Sequence, residues 1–315
     1  DSSVVIVDKS NVDEWNNKVM ARIWYDQIYS PYLMFVRVLK EYFAIPTKEN
    51  LLSPYDITDG KYSNLKYQTD AVQMALNALE NHNGAIVADV VGLGKSIIAS
   101  TIARNLKLRT IVICPPHLSK QWKDYRDEFG FTASVYSAGK IEEALLHYEE
   151  LRKDGEQFLM IIDEAHRFRN EYTQDYALLH NLCSGNKVLL LTATPFNNQP
   201  ADIYSLIKLF QIPSRSTLKT VENLGASFRN LIENYRDLRE SQRKGEATDE
   251  ELKAEVAHIS KNIRSIISPL VVRRSRLDLQ EIDEYAADLV QQNIQLVVPN
   301  DPEELEYDLS KLKDL

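Results

Sequence analysis

Cysteine is scarce: Cys114 and Cys183 are the only two in 315 residues, far apart and without a CxxC companion. That excludes a disulfide framework or zinc ribbon and fits a reducing interior, so a cytoplasmic location is expected. Long hydrophobic runs are also missing. No apolar stretch approaches the roughly 20 residues that span a bilayer, and no basic segment leads into a hydrophobic one at the amino end, so no membrane partner is expected. The six histidines lack ligand-like pairing, which leaves no pattern for a dedicated metal site. Positive charge is in deficit, with 37 Lys and Arg against 46 Asp and Glu, net −9. Such a balance disfavours a protein that coats nucleic acid evenly. Clusters such as Lys120/Lys123/Arg126, Arg167/Arg169 and Arg273/Arg274/Arg276 still allow a basic groove on an acidic body. The chain starts at Asp1 rather than Met, and we expect a piece of a longer protein.

What is present divides along the chain. Residues 1–62 carry helical spacing (Val12, Trp15, Val19, Ile23) and the apolar run Tyr32 to Val36, which predicts a helical N-terminal segment. From residue 63 to 212, short apolar runs alternate with helical periods, the pattern of a parallel sheet wrapped by helices. The expected strands are Ala85–Ala88, Thr110–Cys114, Ala133–Tyr136, Phe158–Ile162 and Lys187–Leu191. Residues 213–266 read as a helical protrusion, with Phe228–Lys244 and Asp249–Ile266 forming an antiparallel hairpin whose charged outer face is either solvated or docks a protein partner.

Three clusters of polar chemistry follow expected strands. After the first comes Asp89-Val-Val-Gly92-Leu-Gly94-Lys95-Ser96 and then a helical run from Ile97 to Leu106. Glycines let the backbone curl around a phosphate chain, Lys95 reaches its outer oxygens, Ser96 suits Mg2+, and the new helix offers its first amides to the anion. Asp89 stands where the general phosphate-loop pattern has glycine. After Phe158–Ile162 comes DEAHRFRN, residues 163–170. Alone, an Asp-Glu pair also suits the first turn of a helix; together with Lys95 and Ser96, it fits one acid for the metal and one for the attacking water. The third cluster, Thr192-Ala-Thr194-Pro195-Phe-Asn197-Asn198, places two hydroxyls beside a proline-restricted turn.

Together, the three clusters resemble the superfamily 2 helicase-like ATPases, and in detail the SWI/SNF-type branch with its bacterial RapA-like relatives. The form DxxGLGKS accounts for Asp89, and DEAHRFRN and LTATPFNN are similar to further family motifs. Leu65 to Val72 resembles the upstream glutamine motif, Val112 to Trp122 the segment with a Pro after the strand and a Trp beyond, and Ile267 to Arg274 the paired-arginine element that closes the first lobe. The match runs from about residue 65 to 298. Val90 and Val91 depart from the Glu and Met frequent in the family. The interval between Trp122 and Asp163 is short, which puts one DNA-contacting motif near Ser137-Ala-Gly139.

The resemblance implies a RecA-like P-loop NTPase fold, residues 63–212 as the first ATPase lobe, a return to that lobe over 267–299, and a linker over 300–315 toward a second lobe. It implies ATP and Mg2+ as cofactors. Gln68 would read adenine; Gly92, Leu93, Gly94, Lys95 and Ser96 would hold the phosphates. Ser96 and Asp163 would serve Mg2+, Glu164 the attacking water. His166, Thr192 and Thr194 would couple the site to double-stranded DNA, bound through Pro115, Ser119, Lys120 and Asn197. Arg273 and Arg274 would contact DNA or brace the lobes, or else pair with the acidic helices. Two alternatives stay open: a DEAH-type or restriction-system helicase that unwinds strands, and a nucleotide-gated binding module without turnover.

Overall fold

The computed structural model describes residues 51–153, 155–193, 199–245 and 248–294. The expectations for residues 1–50 and 295–315, and those for Thr194 and Asn197, lie outside these ranges.

Six strands form one parallel sheet: β1 (Gly84–Val87), β2 (Thr110–Cys114), β3 (Ala133–Ser137), β4 (Leu159–Asp163), β5 (Lys187–Leu191) and β6 (Val271–Val272), in the order β3-β2-β4-β5-β1-β6. The four central strands are buried almost throughout, whereas β3 at the edge is half-buried along its length. Burial on both faces is why the central strands read as continuous apolar runs rather than alternating ones. β6 was not expected as a strand. It has only two residues, and its place depends on pairing Ile86 with Val271 and Val87 with Val272, not on a hydrophobic run of its own.

The helices are α1 (Pro54–Ile57), α2 (Lys66–His82), α3 (Lys95–Leu106), α4 (Ser119–Phe129), α5 (Ile141–Leu151), α6 (Gln174–Cys183), α7 (Pro200–Lys208), α8 (Leu224–Lys244), α9 (Asp249–Ile267), α10 (Arg276–Glu281) and α11 (Asp283–Gln291). Alternate strand residues feed the two faces of the sheet. Ala85, Val87, Val112, Leu189 and Leu191 pack with Val72, Ile98 and Trp122 from α2, α3 and α4. Ile86, Ile113, Met160, Ile162 and Leu190 pack on the other side with residues of α5 to α9. Cys114 and Cys183 are both free thiols and belong to opposite faces, so they cannot pair. No described helix is long and apolar enough to cross a membrane.

The helical hairpin runs slightly beyond its expected limits at both ends, and its base is rooted in the sheet's core through Leu224, Phe228, Leu231, Ile259 and Ile263. Only its outer part is charged surface. Thr248 opens α9 with a capping box closed by Glu251, which satisfies the first free amides of that helix.

Candidate nucleotide site

In an open parallel sheet, ligands gather beyond the carboxyl ends of the strands. Here the strand order sets which clusters meet there. β5 lies between β1 and β4, and register aligns Val87, Leu191 and Asp163 in one row across the three strands. With neighbouring strands about 4.8 Å apart, the ends of β1 and β4 are about 10 Å apart, within the span of a metal-bound triphosphate.

The loop after β1 curls as its glycines predict. Gly92 and Gly94 have φ of 91° and 80°, left-handed values that other residues adopt only with strain. Gly94 caps α3 without a side-chain hydrogen bond, which leaves the first-turn amides for an anion. Lys95 opens the helix and folds back so that Nζ donates to the Asp89 carbonyl at 2.9 Å. Ser96 is the second residue of the same helix, half-buried beside Lys95.

Asp163 is the last residue of β4 and is buried. Its Oδ2 accepts from the Trp122 indole Nε1 at 2.9 Å, and its Oδ1 accepts from the Glu164 amide at 2.9 Å. Burial raises the Asp163 carboxyl above its ordinary value, and the Trp122 hydrogen bond leads the forces pulling it back down. Glu164 sits in the left-handed region at φ 51°, ψ 47°, a strained conformation for a side-chain-bearing residue. Its Oε2 lies 3.2 Å from His166 Nδ1, and the same nitrogen is 3.4 Å from Thr192 Oγ1. The end of β5 is thus linked through His166 to the acid at the end of β4.

These groups fit the ligands the resemblance implies. The glycine curl and uncapped helix suit phosphate, and an ionised Asp163 with the Ser96 hydroxyl would suit Mg2+, which takes one or two carboxylates plus phosphate oxygens rather than an all-protein cage.

Gln68 stands on the first turn of α2 and reaches the loop directly, with Nε2 donating to the Leu93 carbonyl at 3.3 Å. A Cβ at Gly94 would come within 2.5 Å of that amide, so a side chain there would displace the Gln68 amide from the loop. Pro115, Ser119 and Lys120 lie at the carboxyl end of β2, beside β4; Lys120 is exposed, Ser119 half-buried and Pro115 buried.

Two participants were missed from the sequence. Trp122 was noted only as a motif residue, because nothing local says that α4 turns its indole toward β4. Arg274, expected to contact DNA, brace the lobes or pair with the acidic helices, is buried, with Nε 3.4 Å from Asp89 Oδ1 and Nη1 donating to the Tyr67 carbonyl. The paired arginines were the visible signal; their partner depended on β6 lying next to β1.

A glycine loop after β1 and an acid pair after β4, flanking β5 in a parallel sheet, mark this as an α/β domain of the kind that binds phosphate ligands at its strand ends. Residues 140–298 match the SNF2-related domain, and residues 61–197 match the type III restriction enzyme, res subunit. The chain belongs to the SNF2-related family and carries its helicase-like ATPase domain. It is 30% identical over 192 residues to an uncharacterized ATP-dependent helicase, YqhH, of Bacillus subtilis, covering 55% of this chain and 33% of that protein. It is 26% identical over 264 residues to the ATP-dependent DNA helicase DDM1 of Arabidopsis thaliana, covering 74% and 32%. The chain therefore spans about a third of the length of these relatives. Its fold is similar to the Sulfolobus solfataricus SWI2/SNF2 ATPase core solved in complex with double-stranded DNA, with a TM-score of 0.51 and 19% identity over 75% of this chain and 49% of that one. The RecA-like sheet is thereby established.

Proposed function

We propose that this chain is the ATP-binding first lobe of a motor that hydrolyses ATP to translocate on double-stranded DNA in the cytoplasm. Residues 63–212 and 267–299 would form the lobe, residues 213–266 its protrusion, and a second lobe would complete the cleft. The observation that carries this reading is the strand order, which sets the glycine loop after β1 and the acid pair after β4 on either side of β5.

In this scheme Gln68 reads adenine, and the amides of Gly92 to Ser96 with the Lys95 ammonium hold the phosphates. Ser96 Oγ would ligate Mg2+ and an ionised Asp163 would hold it through water; the metal would supply charge neutralisation on the phosphates. Glu164 takes a proton from the attacking water, and His166, which touches both Glu164 and Thr192, ties that acid to the end of β5. Thr194 would join this coupling and Asn197 would contact DNA. Pro115, Ser119 and Lys120 would meet DNA phosphates, which position the duplex without reading its sequence.

Lys95→Ala is expected to abolish nucleotide binding, and Glu164→Gln to keep binding while abolishing DNA-stimulated ATP hydrolysis in a protein that includes the second lobe. Unchanged turnover in both variants rejects the assignment. The match over residues 61–197 to a restriction-enzyme subunit favours a second reading, a helicase that separates strands. Parallel triplex-displacement and strand-displacement assays decide: displacement of the third strand without unwinding supports translocation on intact duplex.

A further inference from the structure

Arg274 lies in the short segment that returns from the helical hairpin, and it touches both halves of the nucleotide site. β6 continues past its two paired residues, as the Ala88 amide donates to the Val272 carbonyl at 2.7 Å and the Val90 amide to the Arg274 carbonyl at 3.1 Å. The return segment thus runs alongside the start of the phosphate loop. From there the Arg274 guanidinium faces Asp89, the loop's first residue, and donates to the backbone carbonyl of Tyr67 on α2. It also lies 6.0 Å over the Tyr67 ring. Tyr67 precedes Gln68, the residue expected to read the base. Asp89 is fully buried and Arg274 is 5% exposed, so the 3.4 Å ion-pair contact between them is shielded from water.

The neighbours reinforce this bridge. Tyr67 Oη donates to the Leu93 carbonyl at 3.4 Å, and Leu65, Tyr67, Leu93, Leu279 and Leu289 form a small apolar cluster that joins α2, the loop and the two helices after Arg274. Arg276 Nη2 donates to the Val91 carbonyl at 3.3 Å. The loop is therefore held from behind by side chains more than 180 positions later in the chain.

We propose that Arg274 is a positioning residue for nucleotide recognition: by joining Asp89 to the Tyr67 backbone, it sets the spacing between the base-reading helix and the phosphate loop. This rests on the ATP-binding reading above. It reaches beyond that reading by giving the arginine a role in base selectivity from within the lobe, without contact to nucleotide or DNA. Because Arg274 follows α9 by only seven residues, force on the hairpin has a direct covalent route to the site.

The test measures equilibrium binding of ATP, GTP and inorganic tripolyphosphate to the 315-residue chain, with melting temperature as a check on folding. Two variants are compared with the parent. Arg274→Lys keeps a positive charge opposite Asp89, yet a single ammonium cannot reproduce the guanidinium fork that spans both partners. The double variant Asp89→Asn/Arg274→Gln removes both charges together, so no buried charge is left alone. In at least one folded variant, ATP affinity is expected to fall about tenfold, the loss of one charge-assisted hydrogen bond, while tripolyphosphate affinity stays within about twofold and the preference for ATP over GTP shrinks. Equal losses for ATP and tripolyphosphate, or an unchanged ATP preference, in every folded variant overturn the proposal. If both variants unfold, the arginine is a stability element and the proposal also fails. Absence of ATP binding by the parent chain would instead reject the ATPase reading itself.

Discussion

Asp163 shows how much a single side chain depends on distant ones. A buried carboxylate is costly unless its oxygens are occupied, and here the Trp122 indole and the Glu164 amide each take one. The indole fixes the plane of the carboxylate, so its removal should weaken the metal's contribution more than that of the nucleotide alone. Trp122→Phe keeps the aromatic packing and deletes the donor. The Mg2+ concentration needed for half-maximal tightening of nucleotide binding is expected to rise about fivefold, the equivalent of one lost hydrogen bond, with Mg2+-free binding little changed. A titration of nucleotide affinity against Mg2+ checks this. The sequence made the acid pair legible, because two acids after an apolar run are chemically conspicuous. It did not reveal the tryptophan, since an indole in an amphipathic helix is ordinary core material until its partner strand is known.

At the scale of elements, the helical hairpin divides into a rooted base and an exposed arm. Phe228 is fully buried and stacks on Tyr204 of α7, with ring centroids 4.7 Å apart, while Val256 on α9 is 41% exposed. Phe228→Ala is expected to destabilise the fold by about 3–5 kcal/mol through the cavity it leaves, and Val256→Ala by no more than about 0.5 kcal/mol. Chemical denaturation of the two variants measures the contrast, and equal effects would contradict the rooted base. Periodicity alone found both helices, but it did not show where burial ends along them. That limit depends on where the sheet stops, and α8 and α9 continue past it.

For the whole molecule, a net charge of −9 and a cleft proposed to be completed by another lobe set the expected behaviour. Because the reaction needs charge stabilisation from the second lobe in the proposed scheme, this chain alone should bind nucleotide yet turn it over weakly even with DNA present. Robust hydrolysis in a steady-state phosphate-release assay would contradict the two-lobe scheme. Any duplex binding by the acidic chain should come from local phosphate contacts. Its affinity is then expected to fall linearly on a log-log plot against salt, with a slope near −0.9 for each phosphate engaged, and similarly for unrelated DNA sequences. A salt titration with two sequences of equal length measures both features.

The amino-acid sequence by itself determined the inventory. Five strands, the helices between them, the glycine loop, the acid pair and the threonine cluster all rest on short-range patterns that residue type dictates wherever the chain lies. Tertiary structure decided adjacency. That β5 separates β1 from β4, that two valines near the carboxyl end become the sixth strand, that Trp122 meets Asp163, and that Arg274 faces Asp89 all arise from contacts between residues 28 to 185 positions apart. Such contacts leave no periodic trace in the sequence, because their energy comes from excluding water between surfaces that only the completed fold brings together.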